Sequence, residues 1–396
     1  MGMQKIEYLI KHNAFVQKAY VVVMSAGFRF IGLFIKKNPH QVFFQSLIGR
    51  NYGDSPKIIF DAMRSDPDFK DFKYVWAFVD PDKFSVPDNT EKVGLNSLKY
   101  FTKAIQSGVW VCNVNIERGL LFKPRKTVFL NTGHGGQFKV DGNAQKNRND
   151  YDYSDVDMFC SFSKFDEDIN VRDYKVRREA SVICGVPRDD ELYHVTPETV
   201  KQARKKLGIP DGKKVILYAP TWRDRSDGGE NYSIAPPMDI ALWRKKLSKD
   251  YVLLFRAHHL TTKSMNLEYD DFVINGSLEQ NVNTVLVASD ILITDYSSIA
   301  YDYSILERPI VDFAYDYEEY KNTRGLNEEL EVMFPGSVFF NQEQILEHIL
   351  TMDFEEEKKK TIKVKERYVQ GGGNATQVCM NFIKTRLGMN ESNTAG

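Results

Sequence analysis

The segment Ile291-Leu-Ile-Thr-Asp-Tyr-Ser-Ser-Ile-Ala-Tyr-Asp-Tyr303 joins an apolar run typical of a buried strand to the start of a predicted helix. The strand is predicted to end at Thr294, and Asp295, Ser297 and Ser298 follow it. The N-terminus of a helix presents free N–H groups and the positive end of the helix dipole, and it therefore binds diphosphates well. The two serine hydroxyls either cap the helix or bind phosphate, and capping alone explains one of them.

Strand and helix patterns of this kind recur along the chain and decide the fold class. The predicted strands are Val42–Ile48, Tyr74–Val79, Val109–Val114, Thr127–Leu130, Met158–Phe162, Ser181–Cys184, Val215–Tyr218, Tyr251–Arg256, Phe272–Ile274, Ile291–Thr294, Ile310–Phe313 and Val338–Phe340. Almost continuously apolar strands that are separated by helices predict an α/β protein with parallel sheets covered on both faces.

Two consecutive series of strand–helix units predict two doubly wound domains, with the join near residues 186–212. The predicted bounds are a helical leader at residues 1–40, an N-terminal domain at 41–190 and a C-terminal domain at 200–387. The predicted helices are Ser55–Arg64, Ser97–Gln106, Pro197–Leu207, Met238–Leu247, Ser297–Leu306 and a Lys- and Glu-rich helical tail at Phe354–Leu387.

Composition argues against several classes of protein. Lys plus Arg (53) nearly balances Asp plus Glu (54), so a global basic field for nucleic acid is absent. The four cysteines form no CxxC pair, which argues against a disulfide framework or a structural zinc site and indicates a reducing cytoplasm. The chain has no GxxxxGK[ST] segment and lacks the glycine fingerprint of dinucleotide folds, so neither a P-loop ATPase nor a nicotinamide enzyme is indicated.

The leader combines apolar and basic residues and has no recognisable secretory signal. Its apolar stretch at residues 14–35 is interrupted by Gln17, Lys18 and Arg29, which is unfavourable for a transmembrane helix. This composition suits a helix that lies on an anionic membrane surface. The alternative is a pair of core helices with a bend near Gly27.

A glycine-rich segment, Asn131-Thr-Gly-His-Gly-Gly-Gln-Phe-Lys139, directly follows a predicted strand. In open α/β sheets, ligands bind beyond the carboxyl ends of the strands, so His134 is a candidate general base and Lys139 a candidate phosphate ligand. The alternative is a glycine-rich turn that carries an incidental histidine. Binding residues concentrate in such loops, which favours the functional interpretation.

Two further segments follow strands of the second series. Tyr218-Ala-Pro-Thr-Trp-Arg-Asp224 would place Thr221 and Arg223 at a phosphate, unless it is only a proline-initiated turn with a packed tryptophan. Phe255-Arg-Ala-His-His-Leu260 brings Arg256 and two histidines to another strand end. Adjacent histidines on an extended segment point to opposite faces, so at most one of them faces a site, and no metal site is predicted.

In this order, the motifs resemble those of the CDP-glycerol glycerophosphotransferase family of teichoic acid synthesis. Its members commonly carry Trp-His-Gly-x-x-x-Lys, Pro-Thr-Trp-Arg, Arg-x-His and Thr-Asp-Tyr-Ser-Ser segments. The corresponding segments here are Gly133-His134-Gly135 with Lys139, Pro220–Arg223, Arg256-Ala-His258 and Thr294–Ser298. The resemblance extends from about Gln45 to Arg367, and Thr294–Ser298 with the following helix and strand is its most specific part.

The resemblance implies a GT-B-like fold, with two Rossmann-like doubly wound domains facing a cleft and an N-terminal membrane-associating helical segment. It implies that the N-terminal domain serves the acceptor and the C-terminal domain binds the nucleotide donor. It also implies peripheral attachment to the cytoplasmic face of the bacterial cell membrane. The residue roles that it implies are the base for His134, the donor phosphates for His258, Ser297 and Ser298, and the acceptor side for Gly135 and Lys139.

The expected reaction is transfer of a polyol phosphate, most simply glycerol phosphate, from CDP-glycerol or CDP-ribitol to a lipid-linked or growing polymer acceptor, with release of CMP. Thr221, Arg223, Arg256 and Asp295 are the other expected donor-binding residues. Gly133 stands where the family commonly has tryptophan, which leaves teichoic acid, capsule or another polyol phosphate as acceptor. Two rivals are a sugar-nucleotide glycosyltransferase and a non-catalytic membrane-bound polymer-binding protein. The sequence leaves a divalent metal requirement and a homo-oligomer open.

Overall fold

The computed structural model describes residues 14–146, 148, 151–221, 236–256 and 267–389. Its helices are α1 Ala14–Gly32, α2 Asp54–Ser65, α3 Leu98–Gln106, α4 Lys164–Tyr174, α5 Pro197–Lys206, α6 Ile240–Leu247, α7 Val282–Ala288, α8 Ile299–Ser304, α9 Tyr317–Thr323, α10 Leu330–Met333, α11 Gln342–Thr351, α12 Phe354–Tyr368 and α13 Ala375–Arg386. Its strands are β1 Asn38–Gln45, β2 Lys73–Phe78, β3 Thr90–Gly94, β4 Ser107–Cys112, β5 Val128–Asn131, β6 Met158–Ser161, β7 Ser181–Ile183, β8 Lys214–Ala219, β9 Tyr251–Phe255, β10 Val273–Asn275, β11 Ile291–Thr294, β12 Ile310–Phe313 and β13 Val338–Phe339.

The strands form two sheets, whose ladders within the described residues are all parallel. The first sheet has the order β3-β2-β1-β4-β5-β6-β7, and the second has the order β10-β9-β8-β11-β12-β13. Each begins in the middle, runs to one edge and then continues from the middle to the other edge, which is the order of doubly wound folds. The predicted α/β class with parallel sheets is therefore confirmed. Below, residues 14–194 are called the N-terminal half and residues 197–368 the C-terminal half.

Alternation along the central strands divides the apolar core into layers. On β1, Val42 and Phe44 belong to one buried cluster and Phe43 to another, because successive side chains point to opposite faces of a sheet. On β8, Val215 joins the same cluster as Val42, whereas Ile216 faces a third cluster. The cluster shared by Val42 and Val215 contains residues of both sheets, so it packs the two halves together.

The C-terminal tail consists of two helices and returns to the N-terminal half. The predicted continuous helical tail is interrupted between α12 and α13, where Gly371, Gly372 and Gly373 approach other backbone and ring atoms closely. A Cβ atom on Gly371 would lie 2.6 Å from the carbonyl oxygen of Ile183. The carboxylate of Asp190 then accepts the first two free N–H groups of α13, each at 2.8 Å, and α13 packs against α2.

Helix α1 buries one face and exposes the other. Phe28 is buried and stacks on Phe101 at 4.1 Å between ring centroids, whereas Val22, Phe30 and Phe34 are exposed. No helix within the described ranges is both long and apolar enough to cross a lipid bilayer. Association of this segment with a membrane surface, like the predicted domain bounds, stays a prediction.

Candidate active site

Two of the predicted motifs lie side by side at the carboxyl ends of β8 and β11. Ala219 pairs with Thr294 in the sheet, and the Thr294 hydroxyl donates to the Ala219 carbonyl oxygen at 2.8 Å. Beyond the strands, the N–H of Thr221 donates to Oδ1 of the buried Asp295 at 2.7 Å. Asp295 therefore holds the backbone of Thr221, and its predicted contact with a donor stays a prediction.

The two serines of this motif have different environments. The Ser297 hydroxyl accepts the N–H of Ile299 at 3.4 Å, which is a long and weak cap. Ser298 is the N-cap residue of α8 by position, but its side chain makes no capping hydrogen bond. Ser298 instead lies against the glycine-rich loop of the N-terminal half. Capping therefore does not account for the Ser298 hydroxyl.

The glycine-rich loop packs so closely on α8 that side chains are excluded from two positions. A Cβ atom on Gly135 would lie 2.6 Å from the Ser298 hydroxyl oxygen, and one on Gly136 would lie 1.9 Å from the Tyr301 ring. Both distances are below any normal contact, so only glycine allows this approach. The loop around His134 and the helix that carries Ser298 thus form one continuous site, although about 160 residues separate them.

Among the described residues, one backbone group lies within hydrogen-bonding distance of the His134 imidazole. Its Nδ1 atom lies 3.2 Å from the carbonyl oxygen of Asn113, which can only accept a hydrogen bond, so the contact requires a proton on Nδ1. In the neutral ring this leaves Nε2 as the basic nitrogen. Desolvation lowers the pKa of His134 below its usual range, while the charges of Asp54 and Asp141 act in the opposite direction. His134 is therefore neutral at physiological pH, as a general base must be.

Contacts on both sides hold the rest of the loop. The N–H of Gln137 donates to Oδ1 of Asp166 at 2.9 Å, and burial raises the pKa of Asp166 to about 6. The main chain of Lys139 pairs with Leu326 in an antiparallel bridge to the C-terminal half. These contacts place the Lys139 backbone beside the site. Its predicted role on the acceptor side stays a prediction.

Arg256 has a local structural contact. Its Nη1 atom donates to the carbonyl oxygens of Gly276 at 2.9 Å and Glu279 at 2.6 Å, so it orders the turn after β10. Its predicted contact with phosphate stays untested. Arg223 and His258 lie outside the described residues, and their predicted roles stay predictions.

A cavity of about 530 Å³ opens beside His134 in the N-terminal half. Amide, aromatic and charged groups line it, among them Arg50, Asn51, Asn113, Asp141, Tyr151, Tyr153, Phe159 and Tyr174. Gly133 has a positive φ of 61°, and a Cβ atom there would contact the Phe159 ring at 3.6 Å. Glycine at this position thus leaves room in the cavity. Tyrosine hydroxyls and amide groups thus lie in the walls together with apolar side chains and the charged groups of Arg50 and Asp141.

The sequence did not predict a role for Arg188, whose side chain contacts the backbone of the His134 loop. Its Nη1 atom donates to the His134 carbonyl oxygen at 3.0 Å. The local signal was a charged Pro-Arg-Asp-Asp run soon after a strand, but this run fell inside the predicted join between domains. Its partners are distant in sequence, so no local pattern reveals the contact.

Comparison with known proteins gives related sequences and structures. A teichoic acid poly(glycerol phosphate) polymerase of Bacillus spizizenii is 30% identical over 369 residues, which are 87% of this chain and 90% of that protein. A protein of the same description from Staphylococcus epidermidis is 32% identical over 80% of this chain, and the match spans about half (46%) of that longer relative. The structure of a histidine-to-alanine variant of the wall teichoic acid polymerase TagF superposes with a TM-score of 0.80 and 28% identity, covering 99% of this chain and 100% of that one.

The sequence profile of one family covers most of the chain. Residues 28–384 match the family described as CDP-glycerol:poly(glycerophosphate) glycerophosphotransferase. The match includes the His134 loop, the motif at Thr294–Ser298 and both parallel sheets. The chain therefore belongs to the CDP-glycerol:poly(glycerophosphate) glycerophosphotransferase family, as its motifs predicted.

Proposed function

We propose that this enzyme transfers glycerol phosphate from CDP-glycerol to the hydroxyl end of a teichoic acid acceptor and releases CMP. The proposal rests on the contact between the His134 loop and the start of α8. The neutral His134, with Nε2 free of the Asn113 contact, lies in the loop that packs directly on Ser298 at the start of α8. A base and a hydroxyl-bearing helix start thus meet at the carboxyl ends of parallel strands, where α/β proteins bind their ligands.

The proposed step is an in-line displacement. Nε2 of His134 takes the proton of the acceptor hydroxyl, and the oxygen attacks the glycerol-bearing phosphorus of the donor. The bond between that phosphorus and the bridging oxygen breaks, and CMP leaves with the electron pair. Phosphoryl transfer depends mainly on positioning and on charge stabilisation, for which Ser297, Ser298 and Arg256 are the described candidates. Arg223 and His258 are proposed to add to this charge.

We infer a GT-B-like division of labour between the halves. The cavity beside His134 would hold the acceptor end, and the strand ends of the six-stranded sheet would hold the donor. The two sheets share one strand order, and their loops meet at Gly135 and Ser298, which supports this arrangement. Among the described residues that line the cavity, Arg50 carries the one guanidinium, which favours a terminal polyol or sugar unit over a long polyphosphate chain.

The donor specificity is tested by measuring CMP. We expect CMP release from CDP-glycerol only when a lipid-linked acceptor is present in detergent, with much slower release from CDP-ribitol. A faster reaction with CDP-ribitol would change the assigned polyol. Release of UDP from a sugar nucleotide, without CMP from either CDP-polyol, would contradict the proposal and favour a glycosyltransferase.

We also propose that α1 attaches the enzyme to the cytoplasmic face of the bacterial membrane. Its outward face carries apolar side chains with large exposed fractions, including Val22 (67%) and Phe30 (63%), and Phe34 (76%) is exposed in the turn that follows. Lys18, Arg29 and Lys36 lie in or next to the same segment. Apolar side chains beside basic ones suit an interface with anionic lipids.

Replacing part of this outward face tests the attachment. For the triple variant Val22→Ser, Phe30→Ser and Phe34→Ser, we expect at least about ten-fold weaker co-sedimentation with phosphatidylglycerol vesicles, since burying each such side chain is worth about 1.5 kcal/mol or more. The control replaces exposed leucines elsewhere, Leu98→Ser with Leu350→Ser, and should bind like the parent. Equal binding by the parent and the triple variant would remove α1 from the interface.

The lowered pKa of His134 predicts the acid limb of the pH profile. The base acts in its neutral form, so kcat/KM should fall as pH drops through the lowered pKa, with a midpoint below the ordinary value of 6.5. The charge of Asp54 raises the pKa of His134, so Asp54→Asn should move this midpoint to still lower pH. A midpoint that moves upward in Asp54→Asn, measured as CMP release from pH 5 to 8, would exclude His134 as the titrating base.

A further inference from the structure

A buried arginine connects the base loop to the serine-bearing helix. Arg188 lies in the 3-10 helix Pro187–His194, and its side chain is only 10% exposed. Nη1 donates to the His134 carbonyl oxygen at 3.0 Å and to Asp54 Oδ2 at 3.2 Å. Nη2 donates to Asp302 Oδ2 at 2.9 Å. One guanidinium thus joins three segments that are far apart in the sequence.

The charges around Arg188 make this connection strong. Burial raises the pKa of Asp189 well above its usual range, and the charge of Asp302 raises it further. Burial raises the pKa of Asp302 too, and the guanidinium of Arg188 acts against that rise. Asp189 also lies at this guanidinium, with its Oδ1 atom 3.3 Å from Arg188 Nε. Removing one partner of such a buried ion pair leaves the other charge uncompensated, which is strongly destabilising.

Arg188 contacts both the loop that carries the proposed base and the helix at the proposed donor site. The His134 carbonyl belongs to the residue whose imidazole acts as base. Asp302 follows Ser298 by four residues along α8, so both side chains lie on the same face of this helix. A shift of Arg188 would therefore change the position of the imidazole relative to the Ser298 hydroxyl.

We propose that Arg188 is a positioning residue for the transfer. Its guanidinium holds the His134 loop and α8 at the separation that the reaction needs, and it contacts them through the His134 backbone and the Asp302 side chain. The inference rests on the proposed function, because it assigns the purpose of the connection to that reaction. Arginine suits this task since its rigid, planar group directs several donors at once, whereas lysine offers one compact charge.

The first test is Arg188→Lys, which keeps the positive charge and loses the fork. We expect kcat for CMP release to fall about 100-fold, as a misplacement of about 1 Å does, with KM for CDP-glycerol nearly unchanged. Hydrogen exchange of amides in residues 131–140 should become faster. The control is Arg204→Lys, because Arg204 also joins a carbonyl oxygen (Ala288) and a carboxylate (Asp290) but lies away from the loop. This control should change neither kcat nor the hydrogen exchange of residues 131–140.

The second test is Asp302→Asn, a variant of the same shape, which keeps the proposal testable if Arg188→Lys does not fold. It should lower kcat by itself, and the double variant should lose little more than either single one. Parent-like kcat and exchange in both single variants, or fully additive losses in the double variant, would overturn the role of Arg188. If the parent itself releases no CMP, the proposed function fails, and the exchange rates of residues 131–140 still decide whether Arg188 positions the loop.

Discussion

His134→Ala should lower kcat for CMP release by about 10²- to 10⁴-fold, which is the usual contribution of a general base. The reason is that Nε2 is the basic nitrogen of an imidazole whose Nδ1 is committed to the Asn113 carbonyl at 3.2 Å. The affinity for CDP-glycerol should change little, because the proposed donor site lies at α8 and the six-stranded sheet. Stopped assays of CMP release with saturating acceptor measure kcat. Calorimetric titration with CDP-glycerol measures the affinity for the donor.

The matched control for this variant is His194→Ala. His194 is exposed at the end of the 3-10 helix Pro187–His194 and has no place in the proposed reaction. It should keep the activity and melting temperature of the parent. If His134→Ala retained more than about a tenth of the parent kcat, a base other than His134 would have to act, since general-base catalysis contributes at least about 100-fold.

Gly136→Ala should lower both stability and turnover although it adds only one methyl group. The new Cβ atom would lie 1.9 Å from the Tyr301 ring, and Tyr301 is buried and stacked on Tyr368 at 5.1 Å between ring centroids. The loop must therefore move away from α8. We expect a loss of stability of about 1–3 kcal/mol and a loss of kcat of about 100-fold, because the imidazole moves with the loop.

Thermal unfolding measures the loss of stability, and assays of CMP release measure the loss of kcat. Two further variants show whether the contact with Tyr301 causes these losses. Gly27→Ala makes the same chemical change within α1, where no atom lies within 4 Å. It should leave kcat unchanged and raise stability by about 0.5–1 kcal/mol, as Gly→Ala does inside a helix. Gly136→Ala combined with Tyr301→Leu, which shortens the opposing side chain, should regain part of the lost kcat. A parent-like Gly136→Ala variant would show that the close approach of loop and helix has no bearing on turnover.

The sequence predicted the buried strands well because each one is a continuous apolar run. Every predicted strand has an observed counterpart, and most bounds agree within two residues, as Tyr251–Arg256 and the observed Tyr251–Phe255 illustrate. The prediction of Val42–Ile48 was wrong at both ends: the observed strand is Asn38–Gln45, because Leu47 and Ile48 have positive φ and lie in a 3-10 turn. The strand it missed, Thr90–Gly94, lies at the edge of its sheet and pairs with β2 alone. Only Thr90 and Val93 are buried there, so the segment has no apolar run to recognise.

The candidate site was predictable only where its residues are close in sequence. The His134 loop and Thr294–Ser298 each follow a strand and carry distinctive residues, and the structure brings these two segments into contact. The contacts of Arg188 with Asp54, His134 and Asp302 span between 54 and 134 residues of sequence. Such contacts depend on how the two sheets pack, which no local pattern encodes.

The return of α13 to the N-terminal half means that the polypeptide passes between the halves twice, near residues 195–196 and again at Gly371–Gly373. Two covalent connections restrict the relative rotation of the halves more than one connection would. Arg188 and Asp190 lie beside the first passage, and Asp190 also holds the start of α13. The same short segment therefore carries both the arginine that contacts the two sides of the site and the carboxylate that anchors the returning helix.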